Sequence, residues 1–190
     1  AGGPGHMDGC TWCLCNEKMK KYHDEEWGRL VTDDRLLFEF LTLESAQAGL
    51  SWITILRKRE RYRKAFYDFD VNKVAQMTEQ DVERLMQDEG IVRNRLKIKS
   101  AISNAKLFIA IQKEFGSFYN YTLSFFPEQK PISYQPKTLK DIQASTPESD
   151  AMSKDMKKRG FKFFGSTICY AYLQATGFVN DHLVNCICRK

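Results

Sequence analysis

Apolar residues along this chain recur at helical spacing, and no stretch shows the sustained alternation of a half-buried strand. Leu36, Leu37, Phe40, Leu41 and Leu43 crowd a segment that Thr32 or Asp33 can cap and Gly49 can stop, which predicts a helix to about Ala48. Ser51 is placed to open a second helix carrying Trp52, Ile55, Leu56 and Tyr62, with a very basic outer face. Asp70 and Thr78 head two short helices, and Thr78 to Asp81 has the form of a capping box with Asp in the usual Glu place. Ile98, Ile102, Ala105 and Ile109 make the apolar stripe of a helix running from Arg93 to about Glu114. Phe118 to Phe126 predicts a further helix, and the three prolines between Pro127 and Pro136 predict a loop. Thr146-Pro147 caps a helix that Gly160 ends, and a last helix runs from about Ser166 to Thr176, stopped by Gly177. The expected fold class is all-α, without a substantial sheet or repeats: a helical domain with a small lobe built from the two ends.

Length and charge narrow the classes. A chain of 190 residues fits a single domain, and 43% hydrophobic with 28% charged residues excludes general disorder, collagen and a bare coiled coil. Apolar runs fall short of the ~18 residues of a membrane span, and no signal peptide is visible, so a cytoplasmic setting is expected. Residues 1–7, AGGPGHM, read as an expression-tag remnant, leaving 8–190 as one domain. The net charge of +5 permits an acidic partner such as nucleic acid without demanding one.

Five of the six cysteines lie in the first 15 or last five residues, which suggests that the ends meet and bind something there. Cys10 with His23, and His182 with Cys186, would supply two thiolates and two imidazoles, the ligand types of a closed structural zinc site. Cys13, Cys15 and Cys188 compete as ligands, and separate structural thiols with surface histidines are the plainer alternative.

Residues 82–106, VERLMQDEGIVRNRLKIKSAISNAK, have the form of a helix-hairpin-helix: a short helix, a turn at Gly90, then a longer helix. Gly90 is expected to let the backbone approach a phosphate, with Arg93, Arg95 and Lys97 gripping DNA through its backbone without reading sequence. A plain helical turn with a solvated charged face competes with that reading. Two more basic runs, Arg57 to Lys64 and Lys157 to Lys162, strengthen a phosphate footprint without locating it.

Glu44 stands near the end of an otherwise apolar helix, on the same face as Gln47, with Trp52 on the next helix and Tyr22, His23 and Trp27 crowded upstream in YHDEEWG. A carboxylate beside Trp and Tyr suits a flat cationic heterocycle, offering charge neutralisation, hydrogen-bond acceptance and stacking. A helix-end Glu in water over a core Trp is the bland alternative.

Taken in order, YHDEEWG, LESAQAGLSWITIL, EGIVRNRLKI, SDAMSKDMKKRGFKFFGSTICYAY and VNDH resemble the 3-methyladenine DNA glycosylase I family of bacteria, from about Cys10 to Cys186. The resemblance implies an all-α member of the helix-hairpin-helix glycosylase superfamily, with structural zinc on Cys10, His23, His182 and Cys186, in a lobe of residues 8–30 and 178–190. It implies that Glu44 recognises the base, that Tyr22 is its polar partner and Trp52 the stacking wall, and that Trp12 and Trp27 line or support the pocket. Leu50 matches the family's DNA wedge, with Gly49 beside it for close backbone approach. Met19 stands where many relatives carry Tyr, so a phenol hydroxyl is missing there. The implied activity is hydrolytic removal of 3-methyladenine from double-stranded DNA, leaving an abasic site, and a monomer is the default expectation for an enzyme that must wrap DNA. The competing function is a non-catalytic, zinc-stabilised DNA-damage-binding module, which would have no need of the Glu44 pocket.

Overall fold

The computed structural model describes residues 30–47, 50–133 and 145–180. Eight α-helices are formed in these segments: α1 (Asp34–Gln47), α2 (Trp52–Ala65), α3 (Val71–Ala75), α4 (Glu79–Met86), α5 (Arg95–Phe115), α6 (Phe118–Leu123), α7 (Pro147–Arg159) and α8 (Ser166–Ala175). The one sheet among the described residues is a parallel pair of two-residue strands, β1 (Ile132–Ser133) and β2 (Val179–Asn180), in the register Ile132 to Val179.

Local chemistry sets most of the boundaries. Asp33 opens α1, its backbone carbonyl accepting from Leu37 N–H at 2.9 Å. Ser51 Oγ accepts from the Thr54 backbone N–H, and Asp70 accepts from those of Asn72 and Lys73. Thr78 and Asp81 form the expected capping box. Asn94, not Arg93, caps α5 by accepting from Lys97 N–H at 3.1 Å, and Gly116 ends it at φ 87. Thr146 and Ser149 form a second box ahead of Pro147, and Gly160 at φ 105 stops α7. α6 stops at Leu123, short of the predicted Phe126, because the chain tightens there: Phe125 and Phe126 donate to carbonyls three residues back.

Helix α1 is the centre of the molecule. All ten residues from Leu37 to Ala46 are buried, so this stretch has no solvent face, and the helix packs against α2, α5, α6 and α8. Two carboxylates are therefore enclosed with it. Glu39 is matched: Arg59 Nε donates to it at 2.6 Å, and Arg63 donates twice at 3.0 Å. Glu44 has no such match among the described residues.

The stripe of α5 holds, with Phe108 and Ile111 rather than Ile109 as its buried C-terminal members. Phe108 stacks on Phe118 with ring centroids 4.2 Å apart, and Phe38 meets Phe108 edge-on, so α1, α5 and α6 share an aromatic core. The described ends leave this core side by side: Val31 N–H donates to the Thr176 carbonyl at 2.9 Å, next to β2. The zinc-lobe segments 8–29 and 181–190 lie outside the described residues. No helix among the described residues is long and apolar enough to cross a membrane.

Candidate active site

Glu44 is 3% exposed, in the C-terminal half of α1 and about one turn from its end. Burial alone pushes its carboxyl up to about 8, and its Oε1 has no hydrogen-bond partner among the described residues. An isolated carboxylate in such a place is costly, whereas a neutral acid waiting for a positive charge is not. The contrast with Glu39, five residues earlier and held by two guanidinium groups, shows that this helix does not leave acids unmatched by default.

Leu50 lies just past the end of α1, 40% exposed, its N–H donating to the Gln47 carbonyl at 2.6 Å. A large apolar side chain is thus presented to solvent close in sequence to the enclosed acid. Trp52 is the first residue of α2, and its side chain lies outside the described ones. Gly49 lies outside the described residues, as do Trp12, Tyr22 and Trp27 and the four expected zinc ligands Cys10, His23, His182 and Cys186.

The hairpin forms as α4, a turn and α5, and it is bolted to α2. Arg61 pairs with Asp88 at 2.7 Å, Lys58 Nζ donates to the Glu89 carbonyl at 3.1 Å, and Val92 N–H donates to the Tyr62 hydroxyl at 3.2 Å. Gly90 serves this docking. Its φ is not in the left-handed region, and a Cβ there would lie 2.5 Å from Arg61 Cγ. The space that Gly90 leaves is filled by the Arg61 stem.

Arg93 is exposed at the tip of the hairpin. Arg95 forms a two-pronged pair with Glu83 on the surface. Lys97 departs from expectation: its ammonium turns inward and donates to the Ala46 carbonyl at 2.8 Å. Partial burial holds its pKa below the ordinary lysine value. The predicted basic face of α2 is also largely committed, since Arg59 and Arg63 serve Glu39, and Lys58 and Arg61 hold the hairpin. Of that run, Arg57, Arg61 and Lys64 are exposed, Arg61 while paired with Asp88, and in the later run Lys157, Lys158 and Lys162 are.

A cavity between α1, α2 and α5 is lined by Thr42, Ser45, Lys97, Asn104 and Phe163. It has room for water, not for a purine. Its α1 residues lie on the face opposite Glu44 by helical spacing, so it is not the pocket that Glu44 serves. Sequence reasoning did not find the Glu39 pairs or the Lys97 contact; both join residues at least twenty positions apart, and periodicity carries no signal for them.

Comparison with known proteins follows the same line. Residues 12–190 match the family model described as methyladenine glycosylase. DNA-3-methyladenine glycosylase 1 of Escherichia coli K12 is 50% identical over 182 residues, covering 96% of this chain and 97% of that protein. DNA-3-methyladenine glycosylase of Haemophilus influenzae Rd is 44% identical over 180 residues, covering 95% and 97%. In structure, the 3-methyladenine DNA glycosylase I of Staphylococcus aureus, solved to explain 3-methyladenine recognition, superposes with a TM-score of 0.93 at 38% identity, covering 98% of each chain. With a match over nearly its whole length and an all-helical core of the same shape, the chain belongs to the methyladenine glycosylase family.

Proposed function

We infer that the protein is a DNA repair glycosylase that excises 3-methyladenine from alkylated DNA by hydrolysis, leaving an abasic site. The observation that carries the site assignment is Glu44, a buried acid without a partner among the described residues, close in sequence to the exposed Leu50.

Methylation at N3 leaves adenine cationic and weakens its bond to the sugar. Cleavage sends the bonding electron pair to the base, which departs neutral, so no acid is needed to protonate it. Water supplies the oxygen that bonds to the sugar carbon, and its proton passes to solvent. The protein's work is selection and placement. The damaged nucleotide turns out of the stack and Leu50 fills the space it leaves. Glu44 releases its proton to solvent as the cationic base enters, then accepts hydrogen bonds from the adenine edge and balances its charge. At about 4 Å and an effective dielectric of about 20, a cation gives a carboxylate about 4 kcal/mol, comparable to the burial cost that now keeps Glu44 protonated. A neutral purine offers no such return, and that difference is the basis of selection. Trp52 is the stacking wall, Tyr22 the polar partner, and Trp12 and Trp27 support the pocket. Residues 82–106 act as the helix-hairpin-helix, with Arg93 and Arg95 on the DNA backbone.

A structural zinc held by Cys10, His23, His182 and Cys186 fits the way the described ends emerge together at Val31 and Thr176. When bound, it would supply a closed cross-link between the terminal segments and no chemistry at the sugar.

The test is release of bases from alkylated duplex DNA, with the freed purines identified. The wild-type protein is expected to release 3-methyladenine and Glu44→Gln to release little or none while remaining folded. Undiminished release by that variant would remove Glu44 from the site. A protein that binds damaged DNA without releasing any base would be the binding module instead.

A further inference from the structure

The last four carbonyls of a helix have no partner within it, and the negative end of its dipole collects there. The last turn of α1 contains no basic residue of its own. The Gln47 carbonyl is taken by Leu50 N–H at 2.6 Å, and the Ala46 carbonyl by Lys97 Nζ at 2.8 Å. The cation that closes α1 thus comes from 51 residues further along the chain, from the first turn of α5. Lys97 is held at both ends. Its backbone N–H is bound by the cap Asn94 at 3.1 Å, and its ammonium is bound to α1 two residues beyond Glu44. The hairpin before Asn94 is in turn fixed to α2 through Asp88, Glu89 and Val92. One short path therefore runs from the exposed Arg93 through Asn94 and Lys97 into the end of α1, which carries Glu44 on one side and leads to Leu50 on the other.

We propose that Lys97 is a positioning residue for base excision: its ammonium holds the C-terminal end of α1, and with it Glu44 and Leu50, in register with the hairpin that grips DNA. The assignment rests on the reading of Glu44 and Leu50 given above. It separates Lys97 from the phosphate-binding cations, although it lies in the same basic run.

The experiment compares Lys97→Met, Lys97→Gln and Lys97→Arg with wild type and with Glu44→Gln in the full chain. It measures single-turnover excision from a duplex containing 3-methyladenine, affinity for an abasic duplex across a salt series, and thermal unfolding. Lys97→Met is expected to lose about 100-fold in excision rate, the scale on which a misplacement of about 1 Å acts. Lys97→Arg and Lys97→Gln, which keep an N–H donor, are expected to recover much of that loss. The slope of log affinity against log salt should stay at the wild-type value in all three. A slope reduced by about 0.9 would make Lys97 a phosphate contact and overturn the assignment. So would a lowered melting temperature with a wild-type excision rate, the signature of a purely structural tie. If Glu44→Gln loses excision while Lys97→Met keeps it, the role of Lys97 alone is refuted. If Glu44→Gln keeps excision, the underlying reading of the site fails and takes this one with it.

Discussion

Replacing Glu44 by Gln should make the free protein more stable while removing its activity, and the gain should grow with pH. The sign follows from linkage. In the unfolded chain the carboxyl titrates near its ordinary value of 4.5, and in the folded protein burial pushes it up to about 8. Between those values the folded state holds a proton that the unfolded state has released, so stability falls as pH rises through that window and levels off above it. Each pKa unit is worth about 1.4 kcal/mol, so the penalty is about 2 kcal/mol at pH 6 and about 4 kcal/mol at pH 8. The glutamine amide forgoes its hydrogen bonds with water on burial as the neutral acid does, so that cost largely cancels between the two proteins. The net expectation is a gain of about 2 kcal/mol at pH 6 and about 4 kcal/mol at pH 8. At about 2–4 °C per kcal/mol for a chain of this size, the gain at pH 8 is about 10 °C in Tm. The assay is thermal unfolding of both proteins from pH 5 to pH 9. Groups common to both cancel in the difference, which isolates Glu44. A difference that stays flat across this range, or that shrinks as pH rises, would refute the reasoning, because it would mean the acid is ionised in the folded protein.

Three other outcomes are expected. Leu50→Ala should lower excision from duplex DNA by at least about 10-fold yet leave Tm within about 1 °C of wild type, since the side chain is 40% exposed; paired excision and melting measurements check this. Arg59→Met should cost about 3 kcal/mol in chemical denaturation, at the low end for breaking a buried pair because Arg63 still holds Glu39; no loss would mean that Arg63 alone satisfies the acid. Metal analysis of the purified protein should find one zinc per chain, absent from Cys186→Ser; a folded wild-type sample without zinc would defeat the ligand assignment.

Helix ends were well legible because they depend on near neighbours. Ser51, Asp70, Thr78 and Thr146 all cap as their side-chain chemistry predicts, and Gly160 stops its helix. The special standing of Glu44 was legible as an acid in an apolar run, although the depth of its burial depends on helices far away in sequence. The basic runs were the least legible. A cluster such as Arg57 to Lys64 reads as a solvated or phosphate-facing surface, but four of its members turn to Glu39, Asp88 and Glu89, partners 20 to 31 positions distant. Charge counts along a sequence cannot separate cations facing solvent from cations consumed inside. Gly90 illustrates the same limit: its need for space was apparent, but the neighbour filling that space was not.

The enclosure of α1 on every side also bears on how the enzyme could acquire new substrates. Its ten consecutive buried residues touch the rest of the core, so a change of size at any of them disturbs packing before it alters preference. Adaptation toward other alkylated bases is therefore steered away from the helix that bears the acid. It falls to positions whose side chains answer mainly to solvent or ligand, of which Leu50 is the nearest in sequence.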